Sequence, residues 1–144
     1  MIEEDTIKLL RECNAGIKMG VSSINECYSG VENEKLREML DNSRMEHERL
    51  GNMTRTMLNE YHDAGKEPNP IAKGMSWMKT NVMLAAGPND SGVADLITDG
   101  CNMGVKSLAR YLNQYTAAEE KAKDIAKKLI ALEDTLAKDV RDYL

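Results

Sequence analysis

Two cysteines occur in the same short motif at two places in the chain. The stretch CNAGIKMG, residues 13–20, is followed by CNMGVKSL, residues 101–108, so Cys-Asn-x-Gly-x-Lys is written twice, 88 positions apart. Thiolate sulfur binds zinc and other soft metals, and two facing thiols can oxidise to a disulfide. Unpaired cysteine is also a common buried core residue. Two interpretations of Cys13 and Cys101 therefore stay open: core packing, or a symmetric thiol pair.

Acidic residues and a histidine elsewhere in the chain could complete a metal site with these thiols. The candidate ligands, for zinc or iron, are Cys13, Glu46, His47, Cys101, Glu133 and Asp134. A histidine on the inner face of a helix can equally be a hydrogen-bonded core residue. The sequence contains no Ser/His/Asp arrangement and no glycine-rich phosphate loop. It therefore predicts no catalytic or cofactor-binding residues and no bound cofactor, with zinc or iron as the possible exception.

Each copy of the repeat places a lysine four residues after an asparagine, on one helical face. The resulting candidate polar pairs at the bundle centre are Asn14, Lys18, Asn102 and Lys106. One interpretation is that the lysines extend along the edge of the bundle toward water. The other is that Lys18 reaches Glu46 and Lys106 reaches Glu133 across the centre. The glycines of the repeat, at positions 16 and 104, are interpreted as points of close helix approach.

The elements that must position these residues are helices, because apolar residues return every three or four positions. This pattern predicts helices at about residues 5–30, 33–62, 91–115 and 118–143, with Asp90 or Ser91 capping the third. Residues 63–90 form a long crossover in which IAKGMSWMKTNVM predicts a short helix. Two hairpins joined by one long connection describe a ferritin-like four-helix bundle. We expect one all-α domain spanning residues 1–144.

The crossover carries a resemblance to a known family. Its stretch NPIAKGMSWMKTNVM, followed by GPNDSGVADLITDG, resembles a bacterial ferritin-like family of unknown function, and the likeness covers residues 5–144. Di-iron sites of ferritin-like proteins use a glutamate from each of two helices and Glu-x-x-His from the other two. At the matching positions this chain has Cys13, Cys101 and Glu46-x-x-Arg49. The resemblance therefore implies the fold with a degenerate metal site, and not a ferroxidase.

Composition and charge limit the range of functions. The net charge of −5 argues against nucleic acid as a partner. The chain has no run of about 18 apolar residues and no secretory signal pattern, so we expect a cytoplasmic protein that does not act in membranes. Trp77 and the methionines of the crossover predict a homodimer. The expected role is a structural or protein-interaction module with an unidentified partner; the alternative is a metal-binding or thiol-redox protein that uses Cys13 and Cys101.

Overall fold

The computed structural model describes residues 2–63 and 89–144, and the regular elements in these two ranges are all helical. The helices are α1 (Ile2–Tyr28), α2 (Glu34–Glu60), α3 (Asp90–Gln114) and α4 (Glu120–Asp139), followed by a 3-10 turn at Val140–Tyr143. The prediction of helices and no strands, with four long helices, is confirmed for these two ranges. The predicted crossover and its short helix lie almost entirely outside the described residues. Within the described ranges, no helix is both long and apolar enough to cross a membrane.

Side-chain caps begin the second and third helices. The Asn33 side chain accepts hydrogen bonds from the backbone N–H groups of Lys35 and Leu36, at 2.9 and 3.1 Å. In the same way Asn89 accepts from the N–H of Gly92 at 2.7 Å. Such caps satisfy N–H groups that have no partner within the helix. The expected cap of α3 at Asp90 or Ser91 is wrong by one or two residues, because Asn89 takes that role.

Asp90 instead joins the two hairpins at one end of the bundle, here called the upper end. One carboxylate oxygen of Asp90 accepts a hydrogen bond from the N–H of Glu32 at 2.7 Å, and both oxygens lie 3.2–3.3 Å from the N–H of Asn33. The start of α3 therefore lies beside the turn between α1 and α2. The Asp90 carboxylate thus accepts charge-assisted hydrogen bonds from the exposed N–H groups of this turn.

The opposite, lower end is joined by the first residues of α1. The Asp5 carboxylate accepts from the N–H of Ala117 at 3.1 Å, and the Thr6 hydroxyl accepts from the N–H of Glu119 at 2.8 Å. The start of α1 therefore lies beside the turn between α3 and α4. These end contacts fix the directions of the helices: α2 and α3 run from the upper to the lower end, and α1 and α4 run the other way.

The core is divided into two hydrophobic clusters with a polar layer between them. The hairpins meet with α1 against α3 and α2 against α4, and α1 also contacts α4 across the centre. The upper cluster includes Ile24, Cys27, Leu36, Leu40, Val93, Ile97, Cys101, Leu136 and Val140. The lower cluster includes Leu9, Leu10, Cys13, Ile17, Leu50, Leu108, Ile125 and Leu129. Buried side chains of Ser43, His47 and Glu133 lie between these clusters, in the middle of the bundle.

Candidate functional site at the centre of the bundle

A buried histidine and a buried glutamate meet at the centre of the bundle. His47, on α2, is only 1 % exposed, and Glu133, on α4, is 8 % exposed. The His47 Nε2 atom lies 2.9 Å from Glu133 Oε1. Its other ring nitrogen, Nδ1, lies 2.7 Å from the carbonyl oxygen of Ser43, one turn earlier in α2. Both ring nitrogens are therefore engaged, which fixes the ring in one orientation.

The two contacts of His47 also fix the number of protons in the site. The Ser43 carbonyl can only accept, so Nδ1 carries a hydrogen. An ionised Glu133 can only accept as well, so the contact between Nε2 and Oε1 needs a second proton between them. Burial lowers the pKa of His47, but the hydrogen bond and charge of Glu133, together with the Ser43 carbonyl, outweigh it and raise the pKa. The buried pair thus holds one proton more than a neutral imidazole beside an ionised carboxylate.

The Cys101 thiol from α3 completes the polar contacts of Glu133. Burial raises the pKa of Cys101, and the charge of Glu133 and a hydrogen bond between the two side chains raise it further. The thiol therefore stays protonated at neutral pH and donates to the carboxylate. Burial likewise raises the pKa of Cys13 to about 12 and that of Cys27 to about 11. None of these buried thiols has the lowered pKa of a reactive cysteine.

Helix α1 approaches this site through a glycine that the sequence analysis did not single out. A Cβ atom placed on Gly20 would lie 2.8 Å from both Cδ2 and Nε2 of His47. Only glycine fits there, because the two hydrogen bonds of the ring prevent it from moving away. The same test shows that the expected close approach at Gly16 and Gly104 is wrong. A Cβ atom added at these positions would lie 3.9 and 3.5 Å from its nearest neighbour, which are ordinary van der Waals distances.

A cavity of about 160 Å³ lies between α1 and α3 and reaches down to the polar layer. Its floor is formed by His47, Cys101 and Glu133, and its walls are mostly apolar. Two methionines, Met19 and Met103, line it from α1 and α3. The absence of side chains at Gly16 and Gly104 leaves space in the two facing walls. The centre of the bundle therefore contains a pocket with a polar floor.

The six predicted metal ligands do not converge on one point. His47, Cys101 and Glu133 share the central site described above. Glu46 is exposed and forms an ion pair with Arg49 at 2.9 Å, and Asp134 is also exposed. Cys13 packs in the lower cluster and Cys101 in the upper one, and both thiols are free. Within residues 2–63 and 89–144, no group of three or more His, Cys, Asp or Glu side chains is arranged to hold a metal ion.

Of the two predicted polar pairs, one lies partly inside the bundle and the other lies at its surface. Asn14 is 1 % exposed, and among the described residues its Oδ1 atom has no hydrogen-bond partner. Lys18 is partly buried, whereas Asn102 and Lys106 are exposed at the surface. The placement of Asn102 and Lys106 at the bundle centre is therefore wrong. The reason is that the inner face of α3 is taken by Cys101 and Leu108, and Glu133 pairs with His47.

The raised pKa of His47 predicts how stability depends on pH. The folded protein holds a proton that the unfolded chain releases above about pH 6.5, the ordinary histidine value. The stabilisation from this proton is complete below that value, and it is lost as the pH rises through the raised pKa. We expect the free energy of unfolding, measured by urea titration at a series of pH values, to fall across this window. Glu133→Gln should remove most of this slope; an unchanged slope would contradict the pairing.

Comparisons of the whole chain with models of protein families, with curated proteins and with solved structures found no match.

Proposed function

We propose that the protein is a cytoplasmic, ferritin-like four-helix bundle that acts as a structural or protein-interaction module and not as an iron oxidase. The ferritin-like assignment is supported by the helix directions. Helices α2 and α3 run the same way, although they follow each other in the chain, and parallel neighbours in sequence need a long connection. Residues 64–88 supply the length for such a connection.

The composition of the central layer is the observation that carries the functional proposal. In a ferritin-like di-iron site, carboxylates project into the centre from all four helices. Here the residues at this level are Gly20 from α1, His47 from α2, Cys101 from α3 and Glu133 from α4. The one carboxylate among them is already bonded to a histidine and a thiol. The layer is therefore suited to packing and to holding a proton.

The symmetric Cys13/Cys101 site, the alternative function, gains no support from the packing. Cys13 and Cys101 occupy equivalent positions in the repeat, but they pack in separate hydrophobic clusters of the bundle. A disulfide between them, or a metal shared by them, would require the two clusters to rearrange. The predicted homodimer is part of the proposal, and it depends on Trp77 and neighbouring methionines, which lie outside the described residues.

Addition of iron tests the functional proposal directly. Untagged protein is loaded anaerobically with Fe(II), separated from free metal and exposed to oxygen. We expect no stoichiometric iron in the protein and no oxidation faster than in buffer alone. Two irons per chain with rapid oxidation, both lost in Glu133→Gln, would overturn the proposal.

Sedimentation of the same preparation tests the homodimer. We expect a dimer at tens of micromolar protein; a monomer at this concentration would contradict the dimer part of the proposal.

A further inference from the structure

The cavity between α1 and α3 has the size of a small-molecule site. Its volume of about 160 Å³ is comparable to that of engineered cavities of about 150 Å³ that bind benzene. The apolar part of the wall includes Met19, Met103 and Leu129. An apolar body of six to eight heavy atoms is therefore roughly what the space accommodates.

Helix packing alone does not explain why the walls of this cavity contain glycine. Glycine inside a helix is unfavourable relative to alanine. A Cβ atom on Gly16 would meet its nearest neighbour, Leu129 Cδ2, at 3.9 Å, so alanine would fit there without a clash. Alanine would also fit at Gly104, where an added Cβ would lie 3.5 Å from its nearest neighbour, Glu133 Cδ. Both glycines line the cavity and leave space in it, Gly104 beside Glu133 and Gly16 beside Leu129.

The charges that line the cavity favour a cation. Its titratable groups come from all four helices: Glu12 from α1, His47 from α2, Cys101 and Tyr111 from α3, and Glu133 from α4. Two of these are carboxylates, whereas His47, which holds the extra proton of the buried pair, is the one cationic group, because within the described residues no lysine or arginine lines the cavity. The second oxygen of Glu133, Oε2, lies 3.6 Å from the position of an added Cβ on Gly104, a residue of the cavity wall. A carboxylate has about four acceptor positions, and His47 and Cys101 use only part of them.

We propose that this cavity binds a small organic amine, with its apolar body between α1 and α3 and its ammonium group on Glu133. The proposal goes beyond the structural or interaction role above and does not depend on the ferritin-like assignment. An ammonium group donates to Glu133 Oε2, which adds a positive charge to a buried site. One proton leaves the site to the solvent in exchange, so the net charge stays the same.

His47 can release this proton because Ser43 offers a second hydrogen-bond arrangement. The Ser43 hydroxyl lies 3.4 Å from His47 Nδ1, next to the carbonyl that holds the Nδ1 hydrogen. When the Nδ1 proton leaves, the hydroxyl can donate to the bare nitrogen. The Nε2 hydrogen stays on the imidazole and continues to donate to Glu133 Oε1. Amine binding is therefore linked to the release of one proton.

Three probes of the same shape test the charge preference: benzylamine, toluene and benzoate. Binding is followed by NMR of methionine methyl groups, in which Met19 and Met103 report on the cavity. Met45, which is 63 % exposed and not part of the lining, is the internal control. We expect benzylamine to shift the two cavity signals at millimolar concentration or below, at least about tenfold more tightly than toluene. Benzoate should shift neither. No shift with benzylamine, or equal binding of benzoate, would overturn the proposal.

Two variants separate the cavity from the charge. Gly16→Leu should fill the space and abolish the shifts by benzylamine and toluene; a folded variant that still binds benzylamine would overturn the proposed location. Glu133→Gln should remove the preference of about tenfold for benzylamine over toluene. If the preference persists in this variant, Glu133 is not the partner of the amine. Glu46→Gln, which removes an exposed carboxylate outside the cavity, is the matched control and should leave binding unchanged.

The proton exchange gives a further readout. The affinity for benzylamine should rise with pH through the titration of His47, by at most about tenfold per pH unit, and the affinity for toluene should stay flat. A benzylamine affinity that is independent of pH across this window would overturn the proton exchange.

Discussion

Replacing His47 alone with leucine is expected to lower the free energy of unfolding by about 3–5 kcal/mol. The loss comes mainly from Glu133, which is 8 % exposed and would keep a buried carboxylate without its cationic partner. The ring of His47 also occupies space at the centre, but leucine has a similar volume and limits the cavity left behind. Chemical denaturation of the folded variant measures the effect.

The double variant His47→Leu/Glu133→Leu is the matched control for this effect. Removing both partners removes the uncompensated charge, and a buried ion pair can often be replaced by apolar residues at little cost. We therefore expect the double variant to recover most of the stability lost in His47→Leu. The coupling free energy from the complete cycle, including Glu133→Leu, isolates the pair. Additive losses from the two single changes would show that the residues do not act together.

Replacing Gly20 with alanine is the second large effect, and we expect it to cost about 1–3 kcal/mol. The added Cβ would lie 2.8 Å from the His47 ring, which is fixed by the Ser43 carbonyl and by Glu133. The helix or the ring must shift, and a shift of the ring weakens the hydrogen bond to Glu133. This loss outweighs the better helix propensity of alanine, which is worth about 1 kcal/mol.

Gly16→Ala in the same helix provides the control for Gly20→Ala. Its added Cβ would find its nearest neighbour at 3.9 Å, an ordinary contact. Alanine should therefore stabilise the protein at position 16 by about 0.5–1 kcal/mol through its helix propensity. Thermal and urea unfolding of both variants and of the original chain should show a lower free energy of unfolding for Gly20→Ala and a higher one for Gly16→Ala. If both substitutions stabilise the protein, the close contact between α1 and His47 is absent.

The sequence alone determines the helices, because each depends on local features. Apolar residues at helical spacing predict four helices, and the side chain of Asn33 satisfies the first N–H groups of α2. The same pattern places His47 and Glu133 among the candidate site residues. It also indicates that Glu46-x-x-Arg49 lacks the histidine of a di-iron motif. For residues 2–63 and 89–144, the number and type of the long helices, and part of the central layer, can thus be predicted without any tertiary contact.

Only the tertiary structure decides which candidates meet. Cys13 and Cys101 each lie in the first half of a helix, and α1 and α3 run in opposite directions, so the two thiols fall in opposite halves of the bundle. Glu133 pairs with His47 and not with Lys106, because the rotation of α3 turns Lys106 to the surface. Helical periodicity describes one helix at a time. The direction, rotation and stagger of helices relative to one another follow from the packing of all four, and this packing also makes Gly20 the contact point of α1 with the buried pair.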